Sequence, residues 1–438
     1  MNTGYIYRLV VGAWLGTALL QAQPVFESSP AAPVVPASLR DIAQSSVFSL
    51  GMGGVETPAL LHWGPLELTP HASDKFVYSD GILVRPGRAT NTYINSFSVG
   101  FVASLGRNWT MDYTPTWMVY TNRAFQNSVE QHLSIAGGAE IRDWLAQISQ
   151  SYVKTNTPRI ETGRQTSQQI SDTHLSVSHR FTDHLSLELN GSQSLQFIDQ
   201  SPDYYDWSTQ DWLTYRFVSR LDFSIGYRIG YTDFDPGAHM TYSEPSARVR
   251  WRIADKLTLS VQAGREHRQI KKNGIPAQDT PTFDGTVQYQ PFERTMITLR
   301  AQRSVSPSYF TNSVTENKGW SADLQQRLLG RLTLLAGFGG QKSHFSGSHT
   351  EFIPTFSTVD IVNASGVVIG QLTTVSFHPT TVIDLRNDST QSFHARLSTP
   401  FARRGTFSVL YNRTRNSSDQ PGFNFTSHQV GCEIEYHF

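Results

Sequence analysis

From about His62 to the end of the chain, apolar and polar residues alternate one for one over segments of ten or more positions. Strand side chains alternate sides with a period of two, so Tyr93, Asn95, Phe97, Val99, Phe101, Ala103 and Leu105 fall on one face, with Ser96, Ser98, Gly100 and Ser104 opposite. Trp109, Met111, Tyr113, Pro115, Trp117 and Val119 alternate in the same way with Thr110, Asp112, Thr114 and Thr116. Leu221, Phe223, Ile225, Tyr227, Ile229 and Tyr231 do so against Asp222, Ser224, Gly226, Arg228, Gly230 and Thr232. These strands are longer than ordinary globular ones and long enough to cross a bilayer at a tilt.

The connections alternate in length. Tight turns are expected near Gly106, Arg142, Asp183, Ser219, Asp255, Glu293, Gly330 and Arg403, with longer polar loops between them, such as Thr155 to Ser167 and Lys271 to Asp279. Short turns at one end and long loops at the other is the asymmetry of a transmembrane barrel. The repeat is visible in the letters: Arg180-Phe-Thr-Asp-His-Leu185, Arg216-Phe-Val-Ser-Arg-Leu221 and Arg252-Ile-Ala-Asp-Lys-Leu257 superpose without gaps, and Arg327-Leu-Leu-Gly-Arg-Leu332 follows the same pattern. A propeller blade recurs at a similar spacing but holds four short strands, not two long ones. The fold class expected is therefore all-β, a transmembrane antiparallel up-and-down barrel of about 18 strands, within a range of about 16 to 20. That count takes Ser348 to Asn387 as one long external loop; as a wall hairpin it would give about twenty strands.

The last strand, Gln429 to Phe438, puts Val430, Cys432, Ile434, Tyr436 and Phe438 on one face and Gln429, Gly431, Glu433, Glu435 and His437 on the other. Gly431, Ile434, Tyr436 and Phe438 fill the positions of the C-terminal β-signal that the barrel-assembly machinery reads, and this stretch resembles that signal. The strand must close against the first one, near Leu66 to Tyr78.

At the N-terminus, Arg8, the apolar run Leu9 to Leu20 and a small-residue site at Ala22 predict a signal peptide over residues 1–22. Residues 23–61, rich in Pro, Ala and Ser, read as a flexible periplasmic lead-in, and residues 62–438 as an outer-membrane barrel. Composition agrees: 16% charged and 12% aromatic residues fit a greasy outside around a polar, sparsely charged inside. Zero formal net charge gives no basic field for nucleic acid. The single Cys432 lies on the expected lipid face, where a catalytic thiol is out of place.

Gly64-Pro-Leu-Glu-Leu-Thr-Pro-His71, Tyr78-Ser-Asp-Gly-Ile82 and Met111-Asp-Tyr-Thr-Pro115 resemble the β-barrel porin type 2 family, an outer-membrane group associated with exopolysaccharide production. Ser79 and Gly81 depart from its Tyr-Asp-Asp-Asn-Ile-like stretch. The resemblance implies a porin-like protein with no catalytic residues to carry over, and a link to exopolysaccharide export.

The candidate chemistry lies in arginines. Arg180, Arg216, Arg252 and Arg327 sit on the polar face just before a turn and should share one height in the lumen; Arg228, Arg248, Arg250, Arg300 and Arg396 also point inward. Such rings bias a pore toward anions. The competing explanation is structural pairing with Asp222, Glu266 and Asp323, or a place at the interface beside lipid phosphates. Tyr204, Tyr205, Trp207 and Trp212 cluster in and after an expected outer loop, Asp199 to Asp206, as candidates for stacking on saccharides, with a rim girdle as the alternative. Trp109, Trp117, Trp144, Trp251 and Trp320 read as interfacial girdles.

No His-Glu-x-x-His, Cys-x-x-Cys or Gly-x-Ser-x-Gly motif occurs, so no enzyme, metal or cofactor is expected. His132, His174, His179 and His394 leave open a hydrolase site on a strand rim. The expected function is a passive channel for small, anionic or saccharide solutes, with outer-membrane lipid and the barrel-assembly machinery as partners. A closed structural or binding barrel with ligand-binding outer loops is the alternative. The sequence leaves the oligomeric state open.

Overall fold

A computed structural model describes residues 61–438, apart from 107, 161, 200, 236, 238, 272–276, 308–313, 363–367 and 403, and side chains are described outside 307–313 and 346–384. Eighteen antiparallel strands form the wall, preceded by a short strand β1 (Leu61–Trp63) that pairs with the start of the first wall strand. In order these are β2 (Leu66–Arg85), β3 (Arg88–Leu105), β4 (Trp109–Tyr120), β5 (Ser128–Ile141), β6 (Trp144–Arg159), β7 (Arg164–Arg180), β8 (Leu185–Ile198), β9 (Asp203–Val218) and β10 (Leu221–Asp235). They continue with β11 (His239–Ala254), β12 (Leu257–Lys271), β13 (Gln278–Phe292), β14 (Thr295–Pro307), β15 (Val314–Leu328), β16 (Leu332–Val362), β17 (Val368–Phe401), β18 (Gly405–Ser418) and β19 (Phe425–His437). Each pairs with its sequence neighbours, and β19 pairs with β2 from His428 opposite Asp80 to His437 opposite His71, which closes the barrel.

Alternation decides which residues meet lipid. Phe97, Val99, Trp109, Trp117, Trp144, Leu213, Tyr215, Phe223, Ile225, Tyr227, Ile229, Trp251, Trp320, Val430 and Ile434 are all exposed on the outer surface. Ser96, Ser98, Thr110, Asp112, Thr214, Ser224, Gln429, Glu433 and Glu435, on the opposite faces of the same strands, are buried inside. An apolar exterior edged by aromatic rings around a polar interior is the surface a membrane-spanning barrel needs, because open strand edges cannot exist in hydrocarbon. Among the described residues no helix is long and apolar enough to cross a membrane.

The last strand closes on the first because Gly431 has no side chain. A Cβ there would lie 2.5 Å from the carbonyl oxygen of Phe76. Gly81, in a bulge of β2, has φ +77° and would drive a Cβ to 2.0 Å from the carbonyl oxygen of Thr426, so only a residue without a side chain fits there.

Three expectations need correction. Ser348 to Asn387 is neither an irregular loop nor an extra wall pair. It is the continuation of β16 and β17, which pair with each other from Thr333–Ser398 out to Val362–Val368, whereas β15 leaves β16 at Ser346 and β18 leaves β17 at Asp388. The hairpin thus projects beyond the wall, and the count stays at eighteen. Thr155 to Ser167 is mostly strand, since β6 and β7 pair as far as Arg159 and Arg164. Likewise Asp199 to Asp206 shortens to a connection at 199–202, because β9 begins at Asp203. The wall strands outrun the bilayer at this end, so strand takes the place of loop. Most of the expected Lys271 to Asp279 loop lies outside the described residues, as does the turn residue at 403.

Candidate functional site

The repeated arginines share one structural position. The backbone N–H of Arg180 donates to the carbonyl of Asp143 (3.1 Å), that of Arg216 to His184 (2.7 Å), that of Arg252 to Arg220 (2.8 Å) and that of Arg327 to Arg294 (2.8 Å). Each arginine therefore ties its strand to the preceding turn, and the four stand at one height on the turn-side rim. Gln290 and His437 make the equivalent bonds to Lys256 and Arg404.

Above that rim the inward arginines climb one side of the wall. On β11, Arg252, Arg250 and Arg248 occupy successive inward positions. Arg248 reaches Glu188 at 3.0 Å and lies 4.3 Å over the Trp212 ring. Higher still, Arg228 of β10 and Arg268 of β12 flank the Tyr242 ring, 4.8 and 5.1 Å from its centroid. Arg228 donates to the Tyr242 hydroxyl (3.1 Å) and faces Glu244 (3.8 Å), while Arg268 is paired with Glu266 (2.6 Å). The Tyr242 hydroxyl donates to Asp206, whose carboxylate also accepts from Thr232 at 2.7 Å. Thr282 donates to a second acid of the group, Glu244. Asp206, Tyr242, Glu244, Glu266 and Arg268 are all buried. Buried charge persists only where it is paired and hydrogen-bonded.

Three more of the arginines have acidic partners: Arg216 with Asp222 (3.1 Å), Arg300 with Asp284 (2.7 Å) and Arg396 with Glu433 (3.5 Å). Of the three acids expected to pair, Asp222 does so with an arginine of the series. Glu266 instead takes Arg268, which lies outside the expected series, and Asp323 faces His394 at 3.4 Å.

The four aromatic candidates do not form one surface. On β9, Tyr205 and Trp207 point outward, where Trp207 stacks on Tyr205 (6.3 Å) and Tyr231 (6.1 Å) in a loop-side girdle. Tyr204 and Trp212 point inward, Tyr204 against Phe234 (5.8 Å) and Trp212 beneath Arg248. Strand alternation separates them. Reading Asp199 to Asp206 as a loop hid this, because a loop imposes no sides. The histidines separate as well. His179 is outward on β7, stacked on Trp144 at 4.2 Å, whereas His174 points inward from the same strand and His132 points inward from β5. His394 has an Asp within reach, but the nearby Ser321 hydroxyl donates to that Asp, not toward the imidazole, so no nucleophile–base contact forms there.

At the loop-side mouth, Val77, Ile82, Ile94, Met118, Tyr120, Phe125 and Leu410 make a buried apolar cluster. The N–H of Gly87 donates to the carbonyl of Gly422 (2.6 Å), which joins the β2–β3 and β18–β19 connections. Arg386 lies 4.1 Å over both Phe345 and Phe423.

No family model matches the chain, and no curated protein matches it. Among solved structures, OccAB3 of Acinetobacter baumannii is 9% identical, with 85% of this chain and 99% of that one covered and a TM-score of 0.44. The outer membrane protein OpdK of Pseudomonas aeruginosa is 12% identical, covers 85% and 98%, and has a TM-score of 0.41. OccK2 of the same organism, in complex with glucuronate, is 10% identical, covers 85% and 98%, and has a TM-score of 0.44. The barrel assignment rests on the strand pairing described above. The exopolysaccharide association gains no support from the comparisons.

Proposed function

We propose that the chain is an outer-membrane channel that passes small anionic solutes passively along the arginine-bearing side of its lumen. The observation that carries the reading is the inward succession Arg252, Arg250, Arg248, Arg228 and Arg268, which leads from the turn-side rim toward the loop-side mouth. A guanidinium presents a planar fork of donors that matches a carboxylate, so successive arginines offer a solute one bidentate site after another. Carboxylates stand beside most of them, which softens the field. The expected behaviour is therefore a moderate anion preference with recognition of carboxylate groups, not exclusion of cations.

A second reading, a closed barrel acting as a structural or binding platform, is favoured by the apolar cluster at the mouth and by the Gly87–Gly422 bond that draws two connections together there. Solute flux into proteoliposomes separates the two. The channel reading expects small monocarboxylates to enter faster than neutral sugars of equal size, and Arg248→Ala with Arg250→Ala to remove the difference. Folded protein that admits neither solute would favour the closed barrel.

A further inference from the structure

The outer wall is not uniformly apolar. On β6 to β9 the outward positions six to nine residues from the turn-side strand ends are polar apart from Tyr152 and Gly191: Gln150, Ser171, Thr173, Gln193, Thr209 and Asp211. At the same level β5 presents Leu133 and Ile135, and β10 presents Ile225, Tyr227 and Ile229. The polar groups are partly tied to one another. The Gln150 amide donates to Ser171 (2.8 Å) and accepts from Thr173. Asp211 accepts the backbone N–H of Asn190 (3.3 Å), where the β8–β9 pairing is interrupted, without a change of register, between Glu188–Trp212 and Gly191–Thr209. Between them, Gly191 opens a shallow recess, with nothing within 4 Å of where its Cβ would be.

Hydrocarbon offers such groups no partners, and a carboxylate at this depth is costly and marks a functional surface. We infer that this band is the contact face of a two-fold dimer, in which a second copy of the chain packs β6–β9 against β6–β9. The occupant follows from the patch. It holds amide and hydroxyl donors on β6 to β8 and a carboxylate acceptor on β9, all at one level. Rotation about an axis along the membrane normal keeps levels unchanged, so Asp211 of each copy meets the donors of the other, with the Gly191 recesses facing across the axis. That is an isologous, self-complementary patch. The inference does not depend on solute passage.

The test uses the full chain in lipid nanodiscs, with its mass read by native mass spectrometry, and cysteine crosslinking in intact membranes in a Cys432→Ser background. Two copies per particle are expected. Gly191→Cys should crosslink to itself, and Phe338→Cys, on the far side of the wall, should not. Gln193→Leu with Thr209→Leu, which leaves the Asp211–Asn190 bond intact, should halve the particle mass with an unchanged β-sheet spectrum. One copy or three copies per particle, or equal crosslinking from Phe338→Cys, would overturn the inference.

Discussion

The hydroxyl of Tyr242 donates to the carboxylate of Asp206 at 3.0 Å while accepting from Arg228 at 3.1 Å, so one phenol joins a buried acid to a half-buried base. Tyr242→Phe keeps the ring between Arg228 and Arg268 but leaves Asp206 with Thr232 as its remaining hydroxyl donor. The folded barrel should lose about 1–3 kcal/mol, the cost of stripping a partner from a buried polar group. Urea unfolding in lipid vesicles measures it, and an unchanged midpoint would show that the hydroxyl contributes nothing.

The closing seam gives a second expectation. Gly431→Val would place a side chain against the Phe76 carbonyl, and Phe438→Asp would put charge on the lipid-facing end of β19. Both should prevent assembly into the membrane, leaving protease-sensitive protein in the periplasmic fraction. Wild-type amounts of protease-resistant barrel from either variant would contradict the closure of β19 on β2.

The projecting hairpin yields a third. Beyond Ser346 and Asp388, β16 and β17 pair only with each other among the described strands. Replacing 348–385 with a short turn should therefore leave the eighteen-strand wall intact, with the same circular dichroism spectrum and detergent resistance. Loss of the folded form would mean that the hairpin is part of the wall.

A fourth concerns acid. Asp419, in the β18–β19 connection, accepts the backbone N–H of Asn387 (2.9 Å) and its side-chain amide (2.8 Å), and these bonds lower its pKa below the usual aspartate value. A depressed folded pKa means that the tether contributes at neutral pH and is lost only as pH falls through the lowered value, below the ordinary aspartate range near 3.9. Amide exchange at Asn387 should stay slow on acidification to about that point and then rise, whereas Asp419→Ala should exchange quickly at neutral pH.

Most of the wall was legible because its one rule, alternation, is written residue by residue. Leu221 to Thr232 sort by alternation into lipid and lumen faces, and the Arg180, Arg216, Arg252 and Arg327 repeat corresponds to one shared backbone bond to the preceding turn. What was hidden depends on contacts between strands. Tyr242, Asp206, Glu244 and Arg268 come from three strands, and only the register of β9 against β10, β11 and β12 brings them together. Glu266 and Arg268, two apart on one inward face, were the available signal for that group. The bulges of β2 near Gly81, which carry Ile82 and Leu83 into the buried interior, leave no periodic trace.

The reversal potential of single channels in a planar bilayer under a potassium chloride gradient tests the central claim most directly. An arginine-lined lumen predicts a shift toward the chloride equilibrium potential, reduced by Arg248→Ala and Arg250→Ala. Removing unit charges a few ångströms from the path is expected to change the permeability ratio roughly fivefold, about 1 kcal/mol in water-filled surroundings. A potential on the potassium side, or folded protein that forms no channels, would contradict it.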